Sequence, residues 1–195
     1  MAWNNSLMRY NVLHSSLTTK DHNMKQYSKR TALLHWLIFA LIIAAFFLGH
    51  QLDESRDTTR KLAMYPTHFL IGDLVLLLVI LRIYFRKKDG EPAPANSNPL
   101  LNKIAAATHA LLNLTTIAVV ISGMITVATS GLIEALKRND PDLIPDFEHV
   151  AAKEVHELFI GLLLLLVVFH AAAALYHQFV VKDNLLRRIM IKRLG

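Results

Sequence analysis

The chain has 195 residues, 53% of them hydrophobic, with a formal net charge of +6 and a mean hydropathy of +0.35. This composition is too apolar for an ordinary soluble domain of this size and fits one small membrane bundle. The chain contains no cysteine, which excludes disulfides, thiolate zinc sites and iron–sulfur clusters. The basic residues cluster beside apolar segments, so membrane topology explains them better than a nucleic-acid partner does.

Four apolar segments are long enough to cross a bilayer as helices, which takes about 20 residues. Three of them lack Asp, Glu, Lys and Arg: residues 31–52 (22 residues), 104–133 (30 residues) and 158–181 (24 residues). The second span, roughly Pro66 to Phe85, is interrupted by Asp73 and Arg82. Pro66 is expected at its N-terminus, where a missing N–H costs nothing. The sequence therefore predicts an all-α, four-helix integral membrane bundle.

Basic residues are unevenly distributed between the connections. Residues 1–30 carry five Lys or Arg against one acid, residues 82–103 five against two, and residues 182–195 five against one. The other two connections lack this excess, with three against three in residues 53–61 and three against six in residues 134–154. Since Lys and Arg favour cytoplasmic loops, we expect both termini in the cytoplasm.

The segments outside the spans differ in character. Residues 1–23 are polar, lack the apolar core of a signal peptide, and are expected to form a disordered extension. Met24 is a candidate natural start, and residues 24–195 are expected to form the transmembrane domain. Residues 91–99 form a Pro-rich, extended loop, and residues 131–154 are long enough to hold a short surface helix.

Histidines lie at two depths of the predicted bundle. His156 and His170 are fourteen residues apart on nearly one helical face, which separates them by roughly 21 Å. The alternating direction of the spans puts His68 at the periplasmic level of His156, and His35 on the cytoplasmic half with His170. A single histidine in a span is usually only packed or solvated, but two matched pairs would suit two bis-histidine haems, and such ligation favours electron transfer over oxygen binding. A zinc site would need three or four ligands at one level.

Depth alone does not choose between two cytoplasmic candidates on the fourth span. Counted from Lys182, His170 lies roughly 18 Å deep and His177 roughly 7.5 Å deep, two turns away on nearly the same face. His177 therefore matches the depth of His35 at least as well as His170 does. Both remain candidates on this argument.

Arg82 lies fourteen residues after His68 and hence at the cytoplasmic level. A buried arginine there would suit a haem propionate, which its planar guanidinium matches. The alternative is an arginine that extends to the membrane boundary together with Arg86, Lys87 and Lys88.

Several motifs, in this order and spacing, resemble the small bacterial cytochrome b561 family. They are YSKRTALLHW (27–36), HFLIG (68–72), KEVHE (153–157) and FHAAAALYHQFVVKDNLLRRI (169–189). The resemblance covers residues 24 to about 193. It implies a multi-pass protein of the bacterial inner membrane that binds two b-type haems and passes electrons between a donor and the quinone pool. Members have been assigned as superoxide oxidases that reduce ubiquinone.

The resemblance also implies roles for individual residues. It assigns four haem ligands, His35, His68, His156 and His170, and so favours His170 over His177. His177 then becomes a quinone or propionate contact beside the cytoplasmic haem. His109 on the third span matches a family histidine, and a packed or propionate-contacting ring is as plausible there as a quinone contact.

The expected function is that of a quinone-reducing membrane oxidoreductase, with lipid, quinone and a periplasmic donor as partners. The acidic residues 131–154, with net charge −3, would repel an anionic donor such as superoxide. One alternative is a haem-bearing membrane anchor for a periplasmic dehydrogenase or hydrogenase, with the acidic loop as its docking surface. Another is a non-redox membrane module whose histidines are structural.

Overall fold

The computed structural model describes residues 26–92, 98–148 and 150–191. Within them the helices are α1 (Lys29–Glu54), α2 (Thr58–Asp89), α3 (Pro99–Ser130), α4 (Leu132–Arg138) and α5 (Ala151–Tyr176). A π-helix, His177–Val181, continues α5, and short 3-10 turns lie between α4 and α5 at Pro141–Leu143 and after the π-helix at Leu185–Arg188. The predicted extension 1–23, the candidate start Met24 and most of the Pro-rich loop lie outside the described residues.

Four of these helices are long and apolar enough to cross a membrane: α1, α2, α3, and α5 together with its π-helix. The predicted all-α membrane bundle of four helices is confirmed. Between 6% and 28% of each apolar stretch is buried inside the protein. Most of their apolar surface is therefore left for lipid, the partner expected from the composition.

The helix boundaries follow from local capping. The Ser28 side chain accepts a hydrogen bond from the Thr31 N–H at the start of α1, and Asp57 accepts one from Arg60 N–H at the start of α2. Asn98 caps α3 in the same way. At the other end of α3, Gly131 has φ +85°, a left-handed conformation that turns the chain directly into α4.

Pro66 lies inside α2, so its expected position at the start of the second span was wrong. α2 begins at Thr58 because Asp57 provides the N-cap. The proline has no N–H for the carbonyl of Leu62, which removes one helical hydrogen bond. Leu62 itself is buried against α4, and this packing holds the first turns of α2 in place despite the proline.

The bundle consists of two hairpins, α1 with α2 and α3 with α5, which pack more closely within themselves than against each other. At the end where α1 begins and α2 ends, called here the termini end, Arg30 donates to both carboxylate oxygens of Asp89. The Arg30 guanidinium also lies 4.2 Å over the Phe85 ring. These contacts tie the two ends of the first hairpin together.

The opposite end, called the lid end, is closed by the connection between α3 and α5. Leu132 and Ala135 of α4 are 1% and 0% exposed and pack against Leu62 of α2. The expected short helix is therefore present, and its apolar side is buried on the bundle. Lys153 of α5 contacts Asp53 of α1 at 3.2 Å and links the two hairpins at this end.

We expect Leu132→Ala to loosen the packing of α4 on the bundle, because the substitution leaves a cavity against Leu62. The cost should be about 2–5 kcal/mol, seen as a lower midpoint of thermal unfolding in detergent. Ile133→Ala is the matched control, since Ile133 is 42% exposed. Equal losses in the two variants would contradict the proposed packing.

Candidate bis-histidine sites

Three histidines from three different helices meet toward the termini end. The ring centroid of His170 (α5) lies 6.3 Å from that of His35 (α1) and 5.4 Å from that of His109 (α3). A metal ligated by two imidazoles separates their centroids by roughly 6 Å, the sum of two bonds of about 2 Å and the two ring radii. The separation of His35 and His170 fits such a metal, whereas His109 and His170 are in direct edge contact.

Arg82 of α2 lies beside this cluster, within electrostatic range of all three rings. Its Nε is buried and makes no hydrogen bond within the described part of the chain. Arg86, one turn further, has a partner, since its Nε and Nη2 lie 2.8 and 2.9 Å from the Glu91 carboxylate. Arg82 itself is half-buried, and a cation taken partly out of water without an anion is destabilising, so Arg82 is a suitable partner for a negatively charged ligand.

His156 of α5 is held at the opposite level by groups of α3. Its Nδ1 lies 2.8 Å from the Val119 carbonyl oxygen and 3.2 Å from Ser122 Oγ, and Ser122 Oγ donates to the same carbonyl at 2.9 Å. Because a carbonyl only accepts hydrogen bonds, Nδ1 carries the proton and Nε2 keeps its lone pair. Metal-ligating histidines have this arrangement.

His68 of α2 occupies the corresponding place in the first hairpin. Its Nδ1 is buried and makes no hydrogen bond within the described part of the chain, and the Ala45 backbone lies close to the ring. His68 and His156 are close enough to interact electrostatically across the two hairpins. The lid end thus has its own pair of imidazoles.

His177, the other candidate from the sequence, lies at the first position of the π-helix and has different neighbours. Its Nδ1 donates to Asp183 Oδ2 at 2.6 Å, and Asp183 Oδ1 accepts from the Leu185 N–H. The turn that follows contains two left-handed residues, Lys182 and Asn184. The structure therefore brings His170, not His177, against His35.

The C-terminal segment returns across the termini end. Trp36 Nε1 donates to the Ile189 carbonyl at 3.1 Å, and the Tyr27 N–H donates to the Arg188 carbonyl at 3.0 Å. The Trp36 ring also makes an edge contact with His35, with centroids 5.3 Å apart. Residues 185–191 thus cover the bundle next to His35.

Sequence reasoning missed Ser122 and Asp183, because each acts through a partner on another helix or across a turn. A serine in an apolar span is the only local signal for the first, since small polar residues favour helix contacts in membranes. Among the described residues, no group of three or more His, Asp or Glu side chains could hold a metal ion.

Comparisons with known proteins give a consistent result. A family profile for prokaryotic cytochrome b561 matches residues 26–192. Cytochrome b561 homolog 1 of Escherichia coli (strain K12) is 30% identical, over 87% of this chain and 99% of the relative. Cytochrome b562 of Cereibacter sphaeroides is 29% identical, over 86% and 96%. A probable superoxide oxidase CybB of Yersinia pestis is 27% identical, over 88% and 99%.

Proposed function

The chain belongs to the prokaryotic cytochrome b561 family, and we propose that it is a di-haem membrane cytochrome that carries electrons from a donor at the lid end to quinone at the termini end. Membership establishes a multi-pass inner-membrane protein with a haem-based electron-transfer role. Donor, acceptor and the number of haems belong to the proposal. The observation that carries it is the pairing of four histidines at two levels, once between α1 and α5 and once between α2 and α5.

The residues present fit b-type haem. His35 and His170 have a separation that would allow both imidazoles to hold one metal, and the Nδ1 proton of His156 is held so that Nε2 is available. The proposed assignment is His35 with His170 at the termini end and His68 with His156 at the lid end. Bound haem would supply one-electron redox chemistry, and filled axial positions would exclude oxygen from the iron.

Arg82 supports the same assignment at the termini end. Its buried, unpaired Nε beside the His35–His170 pair is the expected setting for a propionate carboxylate. His109, in edge contact with His170, would then orient that ligand or contact the same carboxylate. A propionate at this position would place a negative charge beside the otherwise unpaired Arg82.

The quinone is proposed to bind beyond the His35–His170 pair, next to His177. That residue lies seven positions after His170, roughly 10 Å along the helix axis. Asp183 holds its Nδ1 proton, so Nε2 is free to accept a hydrogen bond from a quinol hydroxyl, or to take up a proton from solvent and pass it to the reduced quinone. The excess of Lys and Arg at this end supports its proposed location in the cytoplasm, together with both termini.

We expect His170→Ala to abolish the spectrum of one haem, because it removes an axial ligand. His177→Ala should retain both haems and lose quinone reduction, since His177 serves the acceptor. A reduced-minus-oxidised visible spectrum and haem extraction on the purified variants distinguish the two. A wild-type protein without b-type bands would refute the proposed function, and loss of a haem in His177→Ala with none lost in His170→Ala would reverse the ligand assignment.

Arg82→Gln should weaken retention of the termini-end haem by roughly 10- to 100-fold, because a propionate would lose its charged partner. Arg86→Gln is the matched control, since Glu91 already neutralises Arg86. Haem-to-protein ratios after dialysis against apomyoglobin measure this difference. The propionate role is wrong if the two variants lose haem at the same rate.

Superoxide is the proposed donor, because a relative is called a probable superoxide oxidase. The lid end opposes an anion electrostatically, since Lys153 is already paired with Asp53 and Glu157 and residues 131–154 carry net charge −3. Salt screens such repulsion, so the rate of haem reduction by superoxide should rise with ionic strength.

Stopped-flow mixing with superoxide, with and without ubiquinone, measures that rate. His68→Ala provides the comparison, because it removes a lid-end ligand. Reduction no faster than in this variant excludes superoxide as donor. In that case a cationic donor protein bound to the acidic lid becomes the better candidate, and copurification of a periplasmic partner with the intact membrane protein would identify it.

A further inference from the structure

The two lid-end histidines are seated in the same way, once in each hairpin. A Cβ built on Gly49 of α1 would lie 3.1 Å from His68 Cε1, 3.7 Å from its Nδ1 and 4.0 Å from its Nε2. A Cβ built on Gly123 of α3 would lie 2.9, 3.3 and 3.6 Å from the same atoms of His156. Each imidazole therefore packs with the same edge against the bare backbone of the neighbouring helix.

The backbone group close to each ring has the same position relative to the glycine. Val119 lies four residues before Gly123, and its carbonyl accepts from His156 Nδ1. Ala45, whose backbone lies close to the His68 ring, lies four residues before Gly49. In an α-helix the carbonyl at this position already accepts the N–H of the glycine. Because glycine has no Cβ, the side of this hydrogen bond is open, and an imidazole can approach the carbonyl there.

We propose that Gly49 and Gly123 are positioning residues that seat His68 and His156 for axial ligation of one lid-end haem. This inference rests on the proposed function. The glycine sets the distance of the ring from the neighbouring helix, and the carbonyl four residues earlier sets its rotation. Nδ1 then points at the backbone, and Nε2 is the ring nitrogen left for iron.

The surroundings of His156 and His68 differ in two respects. His156 has Ser122 next to its carbonyl, at the position just before Gly123, whereas Leu48 stands just before Gly49. The clearance is also smaller at Gly123, where a Cβ would come within 2.9 Å of the ring. An added methyl group must therefore displace His156 further than His68.

The bundle offers matched controls for the test. Gly72 on α2 and Gly161 on α5 also lie in membrane-spanning helices, but a Cβ there would meet nothing within 4 Å. We would purify the Gly49→Ala, Gly123→Ala, Gly72→Ala and Gly161→Ala variants of the full chain. For each we would measure haem content, low-spin electron paramagnetic resonance and the redox titration of each haem, with His68→Ala and His35→Ala as references.

Gly49→Ala and Gly123→Ala should selectively shift the signal and potential of the lid-end haem, or lose that haem, with affinity reduced roughly 10- to 100-fold. The effect should be greater in Gly123→Ala. The termini-end haem should be unchanged in both, and both haems unchanged in Gly72→Ala and Gly161→Ala. A lid-end haem that is identical in all four variants would overturn the inference.

A double variant separates positioning from folding. If Gly123→Ala acts by pushing the ring of His156, then His156→Ala with Gly123→Ala should accumulate and retain the termini-end haem as well as His156→Ala alone does. A double variant that fails to fold would mean that Gly123 serves helix packing, and would overturn the inference.

A wild type that binds no lid-end haem would refute the proposed function and this inference with it. A wild type with both haems and unaffected glycine variants would refute the inference alone.

Discussion

Polar rings inside membrane helices need partners within the protein, because the lipid offers no hydrogen bonds. This requirement explains much of the arrangement of the bundle. In each hairpin a second helix lies close enough for its backbone to contact a histidine of the first. In the second hairpin, the Val119 carbonyl of α3 accepts a hydrogen bond from His156 of α5. Packing between the hairpins is sparser, and the histidine pairs lie where the two hairpins face each other. The helices are therefore tight where rings are held and looser where a cofactor would fit.

The two ends of the bundle differ in charge. At the termini end, Arg82 is half-buried, its buried Nε has no hydrogen bond from the described residues, and the cluster beside it has no acidic member. At the lid end, the neighbouring charged side chains are largely acidic, and Lys153 lies between Asp53 and Glu157. One end therefore favours an anionic group bound deep within the bundle, and the other disfavours small anions at its surface. The proposed direction of electron flow makes the lid end the point of entry, where the donor must overcome or complement that acidity.

The sequence predicted several parts of the structure because they depend on local rules. Apolar length identified four spans, and the uncharged runs agree with α1, α3 and α5. The start of α2 was predicted wrongly because Pro66 is a frequent first residue of helices. The Asp57 cap and the packing of Leu62 on α4 outweigh that preference, and the second of these effects depends on a residue 70 positions away in the chain, Leu132.

By itself the sequence determined the number of membrane-spanning helices, the two expected depths of the histidines and the resemblance to the family, because helical rise, charge distribution and motif spacing are properties of a linear pattern. On depth alone, the sequence left open whether His170 or His177 is the partner of His35, since both lie on nearly one face of one helix. Only the tertiary structure put His170 at 6.3 Å from His35 and engaged His177 with Asp183. It also decided which glycines matter, since Gly49 and Gly123 differ from Gly72 and Gly161 only in what lies opposite them. Contacts between helices depend on how the hairpins pack, and no periodicity within one helix specifies them.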